Sequence, residues 1–192
     1  MKKNIDIIIV RHGETALNKD GRIRGWSDIP LDEAGRKRAA ETGKELKGKI
    51  DSIVCSDLDR TQETAYLISK ETGAPIKWCT KKFRPWHVGD FTGEKVDKVH
   101  PEMARMAKEH PDEKIKNGES FNDFKERFLS AVEELLDDYE GERIALVTHH
   151  RGDRIFAAWH KKGFPADHKV DVATFLTEGL DPGYAAKPVE YP

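Results

Sequence analysis

The feature that most constrains the fold is a set of short, β-branched apolar runs separated by segments of helical periodicity. Residues 5–10 form such a run, which ends abruptly at a polar loop, as is typical of a strand covered on both faces of a sheet. Further strands are predicted in the same way at residues 50–55 and 144–148, and more weakly at residues 76–79 and 172–176.

Between these runs, apolar residues recur every three or four positions, which predicts helices. One helix is expected from residue 58 to 73, a longer one from 120 to 141, and a third from 32 to about 46. Asp32 and Ser120 are the residue types that cap helix N-termini, so they mark where two of these helices should begin.

Strands that alternate with helices predict a single α/β domain over residues 1–192. We expect a three-layer sandwich, with a mostly parallel central sheet and helices on both faces. Residues 78–117 are less periodic and are predicted to form a cap or insertion over one end of the sheet. The tail at residues 181–192 carries three prolines and is predicted to lie on the surface without regular structure.

The composition argues against several classes of partner. Lys and Arg number 33 against 35 Asp and Glu, so the chain lacks the basic excess of a nucleic-acid-binding protein. The first apolar run is too short for an export signal or a membrane span. Cys55 and Cys79 cannot build a disulfide framework or a four-cysteine zinc site, and we expect two reduced, buried thiols in a cytoplasmic protein. The oligomeric state is left open.

Cationic and imidazole side chains follow three of the predicted strands. Arg11 and His12 follow the first strand, Arg60 lies shortly after the second, and His149 follows the run that ends at residue 148. Because the carboxyl ends of parallel strands meet at one edge of a sheet, these groups should lie together. Two guanidiniums can bind the oxygens of a phosphate while a neutral imidazole attacks phosphorus. The sequence therefore predicts an anion site that contains a nucleophile.

The motifs around these residues resemble the first branch of the histidine phosphatase superfamily, the phosphoglycerate mutase-like group. The matching segments are, in order, residues 11–15 with Asn18, residues 22–26, residues 28–31 with Gly35, residues 56–65, residues 118–120 with Arg127, and residues 147–149. Together they extend over about four-fifths of the chain, and their order makes the resemblance far more specific than a single Arg-His-Gly triplet.

The resemblance implies an α/β phosphatase in which His12 is the nucleophile that becomes phosphorylated. It implies phosphate-binding roles for Arg11, Arg60 and His149, and entrance or substrate-binding roles for Asn18, Arg24 and Gly25. It implies no metal and no organic cofactor, and a small phosphorylated molecule as the substrate.

One departure from the family concerns the general acid. The glutamate that usually protonates the leaving group is replaced by Pro85, which has no proton to donate. Three explanations are open. His87, Asp90, Asp153 or Glu119 substitutes for the acid; the substrate has a good leaving group, such as an acyl phosphate, a phosphoramidate or an aryl phosphate; or the protein binds phosphorylated ligands without turnover.

A second departure follows His149, where the family commonly has small residues and this chain has His150 and Arg151. With Arg24, these side chains favour a substrate that carries more than one phosphate or carboxylate, with His150 as a further substrate-binding residue. We predict a phosphatase that hydrolyses phosphomonoesters through a phosphohistidine on His12. The alternatives are a phosphoglycerate mutase-type phosphotransferase and a non-catalytic phospholigand-binding protein.

Overall fold

A five-stranded sheet forms the centre of the protein in the computed structural model, which describes residues 6–139, 142–177 and 189–190. The strands are β1 (Asp6–Arg11), β2 (Ser52–Ser56), β3 (Ile76–Thr80), β4 (Arg143–Thr148) and β5 (Val189–Glu190). Their order is β3-β2-β4-β1-β5. The first four strands run parallel, and β5 pairs antiparallel with β1.

Helices surround this sheet. They are α1 (Ala16–Lys19), α2 (Glu33–Leu46), α3 (Asp59–Thr72), α4 (Val96–Glu109), α5 (Phe121–Asp138), α6 (His150–His160) and α7 (Val172–Thr177), with short 3-10 turns at Lys81–Phe83 and Gly89–Phe91. Within the described ranges, none of these helices is long and apolar enough to cross a membrane.

The central strands are covered on both faces. Successive residues of a strand point to opposite faces of its sheet, yet Ile144, Ala145, Leu146 and Val147 of β4 are all fully buried. α5 contributes to this cover with an apolar face of helical spacing, and its N-terminus is closed by a capping box at Ser120. The predicted α/β fold with a mostly parallel sheet is therefore confirmed.

The prediction of a strand at residues 172–176 is wrong, because this segment forms helix α7. A short apolar run does not distinguish a strand from a buried helix by periodicity alone. Here the N-terminus is fixed by Asp171, whose carboxylate accepts hydrogen bonds from the backbone N–H of Thr174 at 2.9 Å and from its hydroxyl at 3.0 Å. Phe175 packs against Phe121, with ring centroids 4.9 Å apart.

The prediction that the tail lacks regular structure is wrong at Val189 and Glu190, which form β5. These two residues pair with Ile7 and Asp6. Without β5, β1 would be an edge strand with unpaired backbone groups, so the pairing satisfies part of that edge. Residues 181–188 and 191–192 lie outside the described part of the chain.

The prediction of two reduced thiols is also wrong, because Cys55 and Cys79 form a disulfide. The two residues are register partners on the parallel strands β2 and β3, with Cα atoms 4.4 Å apart. Register cannot be deduced from two isolated cysteines in a sequence, which is why the pairing was not expected. The cytoplasmic location, which was argued partly from reduced thiols, stays a prediction.

The segment predicted as a cap, residues 78–117, begins inside β3 rather than after it. The rest of the segment carries both 3-10 turns and α4. Pro85, Trp86, Val88 and His100 of this segment line the same cavity as His12. The segment therefore contributes one wall of the candidate site.

Candidate active site

Three strand ends converge at the carboxyl edge of the sheet. β4 lies between β1 and β2, so His12, which follows β1, and His149, which follows β4, are direct neighbours, with ring centroids 5.2 Å apart. The backbone N–H of His12 donates to the carbonyl of Thr148 at 3.0 Å. Arg60 enters the same cavity from the first turn of α3, just after β2. Of the groups predicted to meet at this edge, His12, Arg60 and His149 line one cavity.

The ring of His12 is held in one tautomer. Its Nδ1 lies 2.6 Å from the carbonyl oxygen of Gly13, which can only accept, so Nδ1 carries the proton and donates it. The other nitrogen, Nε2, is left with a lone pair. Glycine is required at position 13, because a Cβ atom there would overlap the backbone of Gly35 in α2. This close approach fixes the loop that presents His12.

The histidines of the site are kept neutral. Burial, followed by the charges of Arg24 and Arg60, lowers the pKa of His12 well below its usual 6.5. Burial and Arg60 also lower the pKa of His149. Burial and Arg11 lower the pKa of His150 to about 3. An uncharged His12 at neutral pH has the form needed for nucleophilic attack.

We expect the free energy of unfolding to fall as the pH decreases from 7.5 to 5.5 in phosphate-free buffer. His12 and His149 stay neutral when folded but bind protons near pH 6.5 when unfolded, so protonation favours the unfolded chain in this range. Each contributes a slope of at most about 1.4 kcal/mol per pH unit. Urea titrations at several pH values measure it.

The variant His149→Gln should reduce this slope, whereas the exposed His110→Gln should leave it unchanged. A stability that is flat or rises toward pH 5.5 would contradict the assignment of neutral histidines.

Arg60 is a fixed, buried cation. It is 1% exposed, and its guanidinium donates to the carbonyl of Ser27 at 2.7 Å and to that of Gly25 at 3.1 Å. Burial, with a smaller contribution from Arg24, lowers its pKa to about 10, so it remains charged at neutral pH. Its Nε is buried without a partner in the described part of the chain. Such a guanidinium is preorganised to bind an anion.

His149 is positioned by a residue for which the sequence predicted no role. Its Nε2 lies 2.9 Å from the hydroxyl of Ser56, the last residue of β2. Its Nδ1 is buried and has no partner among the described residues. Ser56 therefore orients this ring from the neighbouring strand.

Some of the residues predicted to bind substrate or phosphate line the cavity, and others do not. Arg24 and Gly25 line the cavity, and Arg24 donates to the hydroxyl of Thr15 at 3.2 Å. The side chain of Asn18 lies outside the described part of the structure. Arg11, predicted to hold phosphate, is not among the lining residues, although its charge lowers the pKa of His12 and His150. Arg24, for which the resemblance implied an entrance or substrate-binding role, therefore lies with Arg60 in the cavity that contains His12.

The cavity that contains these groups has a volume of about 780 Å³ and is strongly cationic. Six basic side chains line it: Arg22, Arg24, Arg60, Lys95, Arg151 and Arg154. Its carboxylates, within the described ranges, are those of Asp20 and Asp97. This volume suits a small metabolite, and the charge suits an anionic one.

Comparison with known proteins assigns the family. The chain matches the family model of the histidine phosphatase superfamily (branch 1) over residues 7–173. It belongs to this superfamily. The resemblance found in the sequence motifs is therefore confirmed, although the activity of this member is not fixed by its family alone.

Relatives in the histidine phosphatase superfamily are named for different activities. The chain is 31% identical to phosphoglycerate mutase-like protein 4 of Arabidopsis thaliana, over 86% of this chain and 74% of that protein. It is 33% identical to a metal-independent phosphoserine phosphatase of the same plant, over 75% of this chain and 63% of that protein.

Solved structures of similar shape agree with this assignment. YhfR of Bacillus stearothermophilus superposes with a TM-score of 0.72 at 32% identity, over 85% of this chain and 83% of that chain. A mycobacterial glucosyl-3-phosphoglycerate phosphatase superposes with a TM-score of 0.70 at 26% identity, over 91% and 84% of the two chains.

Glu119 and Asp90, two of the four residues proposed to replace the general acid of the histidine phosphatases, are engaged in other contacts. The carboxylate of Glu119 accepts hydrogen bonds from the guanidinium of Arg127 and from the backbone N–H of His87. Asp90 accepts a hydrogen bond from Asn117 at 2.7 Å on the exposed surface. Neither carboxylate lines the cavity.

The other two candidates also lie away from the cavity surface. Asp153 is fully buried within α6, and the ring of His87 packs edge-on against Trp26, with centroids 4.2 Å apart. Pro85 itself lines the cavity. Position 85, where the family has its general acid, therefore lines the cavity without an acidic side chain. Within the described part of the chain, none of the four proposed substitutes lines the cavity.

Proposed function

We propose that this protein is a phosphatase that hydrolyses phosphate compounds through a phosphohistidine on His12. The observation that carries the proposal is a neutral imidazole, fixed by Gly13 with Nε2 free, in one cavity with the cations of Arg24 and Arg60. No metal or organic cofactor enters the reaction as proposed.

In the first step, Nε2 of His12 attacks phosphorus, and the bond between phosphorus and the leaving oxygen or nitrogen breaks. The leaving group takes the bonding electron pair, and the proton on Nδ1 stays in its hydrogen bond to Gly13. Arg24 and Arg60 stabilise the charge on the phosphoryl oxygens in the transition state, which is the main source of catalysis in phosphoryl transfer.

In the second step, water attacks the phosphohistidine and the N–P bond breaks, returning the electron pair to Nε2. One proton of the water passes to solvent or to the phosphate that leaves. The neutral imidazole is restored, and the net reaction is hydrolysis of one phosphate bond by one water molecule.

The substitution at Pro85 supports a restriction on the leaving group. Because no acidic side chain occupies that position, the leaving group departs without a proton from residue 85. The carboxylate of an acyl phosphate and the phenoxide of an aryl phosphate can leave in this way, and the nitrogen of a phosphoramidate can leave as an amine once it has taken a proton from solvent. We propose that these three classes react faster than alkyl phosphates.

We expect a covalent phosphate on His12 when the protein is mixed with p-nitrophenyl phosphate and quenched during turnover. A phosphohistidine is stable in base and labile in acid, so alkaline quenching followed by peptide mass spectrometry should locate it. The variant His149→Ala should still be labelled, because it keeps the nucleophile. Turnover without label on His12 would contradict the proposal.

A mutase is the second candidate, and the name of the Arabidopsis phosphoglycerate mutase-like relative favours it. It begins at the same phosphohistidine but transfers the group to a phosphoglycerate hydroxyl rather than to water. Activity that depends on a bisphosphoglycerate primer would support the mutase. Ligand binding with no turnover on any leaving group would support a non-catalytic binding protein.

A further inference from the structure

Helix α6 carries two arginines into the cavity that holds His12. Arg151 and Arg154 lie three residues apart, on one side of this helix, and both line the cavity. His150 precedes them and also lines it. The same helix begins directly after His149, so its first turns extend the site away from the strand ends.

Arg151 has no anionic partner among the described residues. Its guanidinium donates to the sulfur of Met103 at 3.4 Å and lies 5.8 Å from the ring centre of Trp86. By contrast, Arg105 and Arg127, which lie outside the cavity lining, bind carboxylates directly. The charge of Arg151 is therefore left without compensation from a carboxylate.

Arg154 is only partly compensated. One guanidinium nitrogen donates to the carbonyl of Leu176 at 3.2 Å, and its Nε is buried without a partner in the described ranges. The charge of the neighbouring Asp153 stabilises it, while burial and Arg11 oppose its charge. Asp97 at the cavity accepts a hydrogen bond from the backbone of Lys98. Neither Asp97 nor Asp20 forms an ion pair with the two arginines.

The two guanidiniums also repel each other. Burial and the charge of Arg154 lower the pKa of Arg151 to about 10, and both arginines lower the pKa of His150. A bound anion would relieve this repulsion and supply the missing partners. Arg24 and Arg60 already serve the phosphate at His12, so the anion on α6 would be a different group.

We propose that Arg151 and Arg154 form a second anion-binding subsite, which accepts another phosphate or carboxylate of the same substrate. The inference rests on the proposed function, which places the transferred phosphate beside His12 and Arg60. The substrate class is thus a phosphorylated metabolite with at least two anionic groups, and the cavity of about 780 Å³ has the volume for such a molecule.

Binding of phosphonates, which His12 cannot cleave, tests the subsite separately from catalysis. Titration calorimetry would compare alkylphosphonates with α,ω-alkylene bisphosphonates and phosphonocarboxylates of the same chain length, from one to five carbons. We expect at least one doubly anionic ligand to bind about 10–100-fold more tightly than its matched monophosphonate. Whether the bisphosphonate or the phosphonocarboxylate binds better identifies the second group.

The variants Arg151→Met and Arg154→Met should remove this advantage and change monophosphonate binding little. Methionine keeps much of the aliphatic packing, and a thermal melt of each variant checks the fold. Arg105→Met removes the same charge from the surface and should preserve the advantage, which controls for long-range electrostatics.

Equal binding of both ligand classes at every chain length would overturn the subsite, even if the protein is an active phosphatase. An advantage that survives in both α6 variants would overturn it as well. An advantage lost in these variants, in a protein that forms no phosphohistidine, would uphold the subsite and remove the proposed function.

Discussion

Replacing His12 with alanine is expected to lower kcat for p-nitrophenyl phosphate by at least about 10³-fold, because the variant has no nucleophile to form the covalent intermediate. The cavity would keep Arg24 and Arg60, so KM and the affinity for inorganic phosphate should change far less than kcat. Steady-state kinetics and phosphate titration measure these separately.

The matched control is His110→Ala, which removes an exposed imidazole at the end of α4. This variant should retain the activity of the unaltered protein. Equal activity of His12→Ala and the unaltered protein would end the phosphohistidine mechanism, and with it the assignment of the cavity as the reaction site.

The second large effect concerns the leaving group. We expect kcat/KM to fall by about 10²–10⁴-fold from aryl phosphates with acidic phenols to alkyl phosphates, because general-acid catalysis of about that size is missing at Pro85. A series of substituted phenyl phosphates and simple alkyl monophosphates measures the slope. Every member carries one phosphate, so contacts at the α6 subsite do not vary along the series.

The substitution Pro85→Glu tests the cause of this slope. The carbonyl of Pro85 accepts hydrogen bonds from Trp26 and Arg127, and these backbone contacts need not change when the side chain is replaced. Pro85→Glu should raise kcat/KM for alkyl phosphates, whereas Pro85→Gln, of the same size, should not.

A flat dependence in the unaltered protein would contradict the prediction and would mean that another group protonates the leaving oxygen. Identical behaviour of the Glu and Gln variants would mean that a side chain at position 85 does not reach that oxygen.

Much of the site could be predicted because strand ends carry strong sequence signals. A β-branched run that stops at Arg11 and His12 identifies both a central strand and its carboxyl end. The pairing of β1 with β4, which the sequence does not specify, then places His12 beside His149. The carbonyl of Gly13, the residue that follows His12 in the sequence, fixes the tautomer of its ring.

The predictions that failed depended on contacts that the apolar pattern does not show. The helix at α7 follows from a cap by Asp171 and from packing of Phe175 on an aromatic cluster, neither of which periodicity reveals. The disulfide follows from strand register. The sequence offers four substitute acids, whereas only the tertiary structure shows that Glu119 is bound to Arg127.

The α6 subsite was only half visible in the sequence. Arg151 stands out in the sequence because it departs from the family pattern beside His149, whereas Arg154 does not stand out in this way. The three-residue spacing places both arginines on one side of a helix. This follows only when residues 150–160 are known to form a helix whose first turns line the cavity. Both arginines are therefore visible in the sequence, but the helix that brings them together was not predicted.

The hydrogen bonds that hold Arg60 couple substrate entry to product release. Its guanidinium donates to the carbonyls of Gly25 and Ser27, on a loop whose Gly25 also lines the cavity. A displacement of this loop would therefore move the guanidinium and weaken its contacts with a bound oxyanion. Admission of substrate and departure of the final product should thus share one motion, so stiffening that loop should slow both.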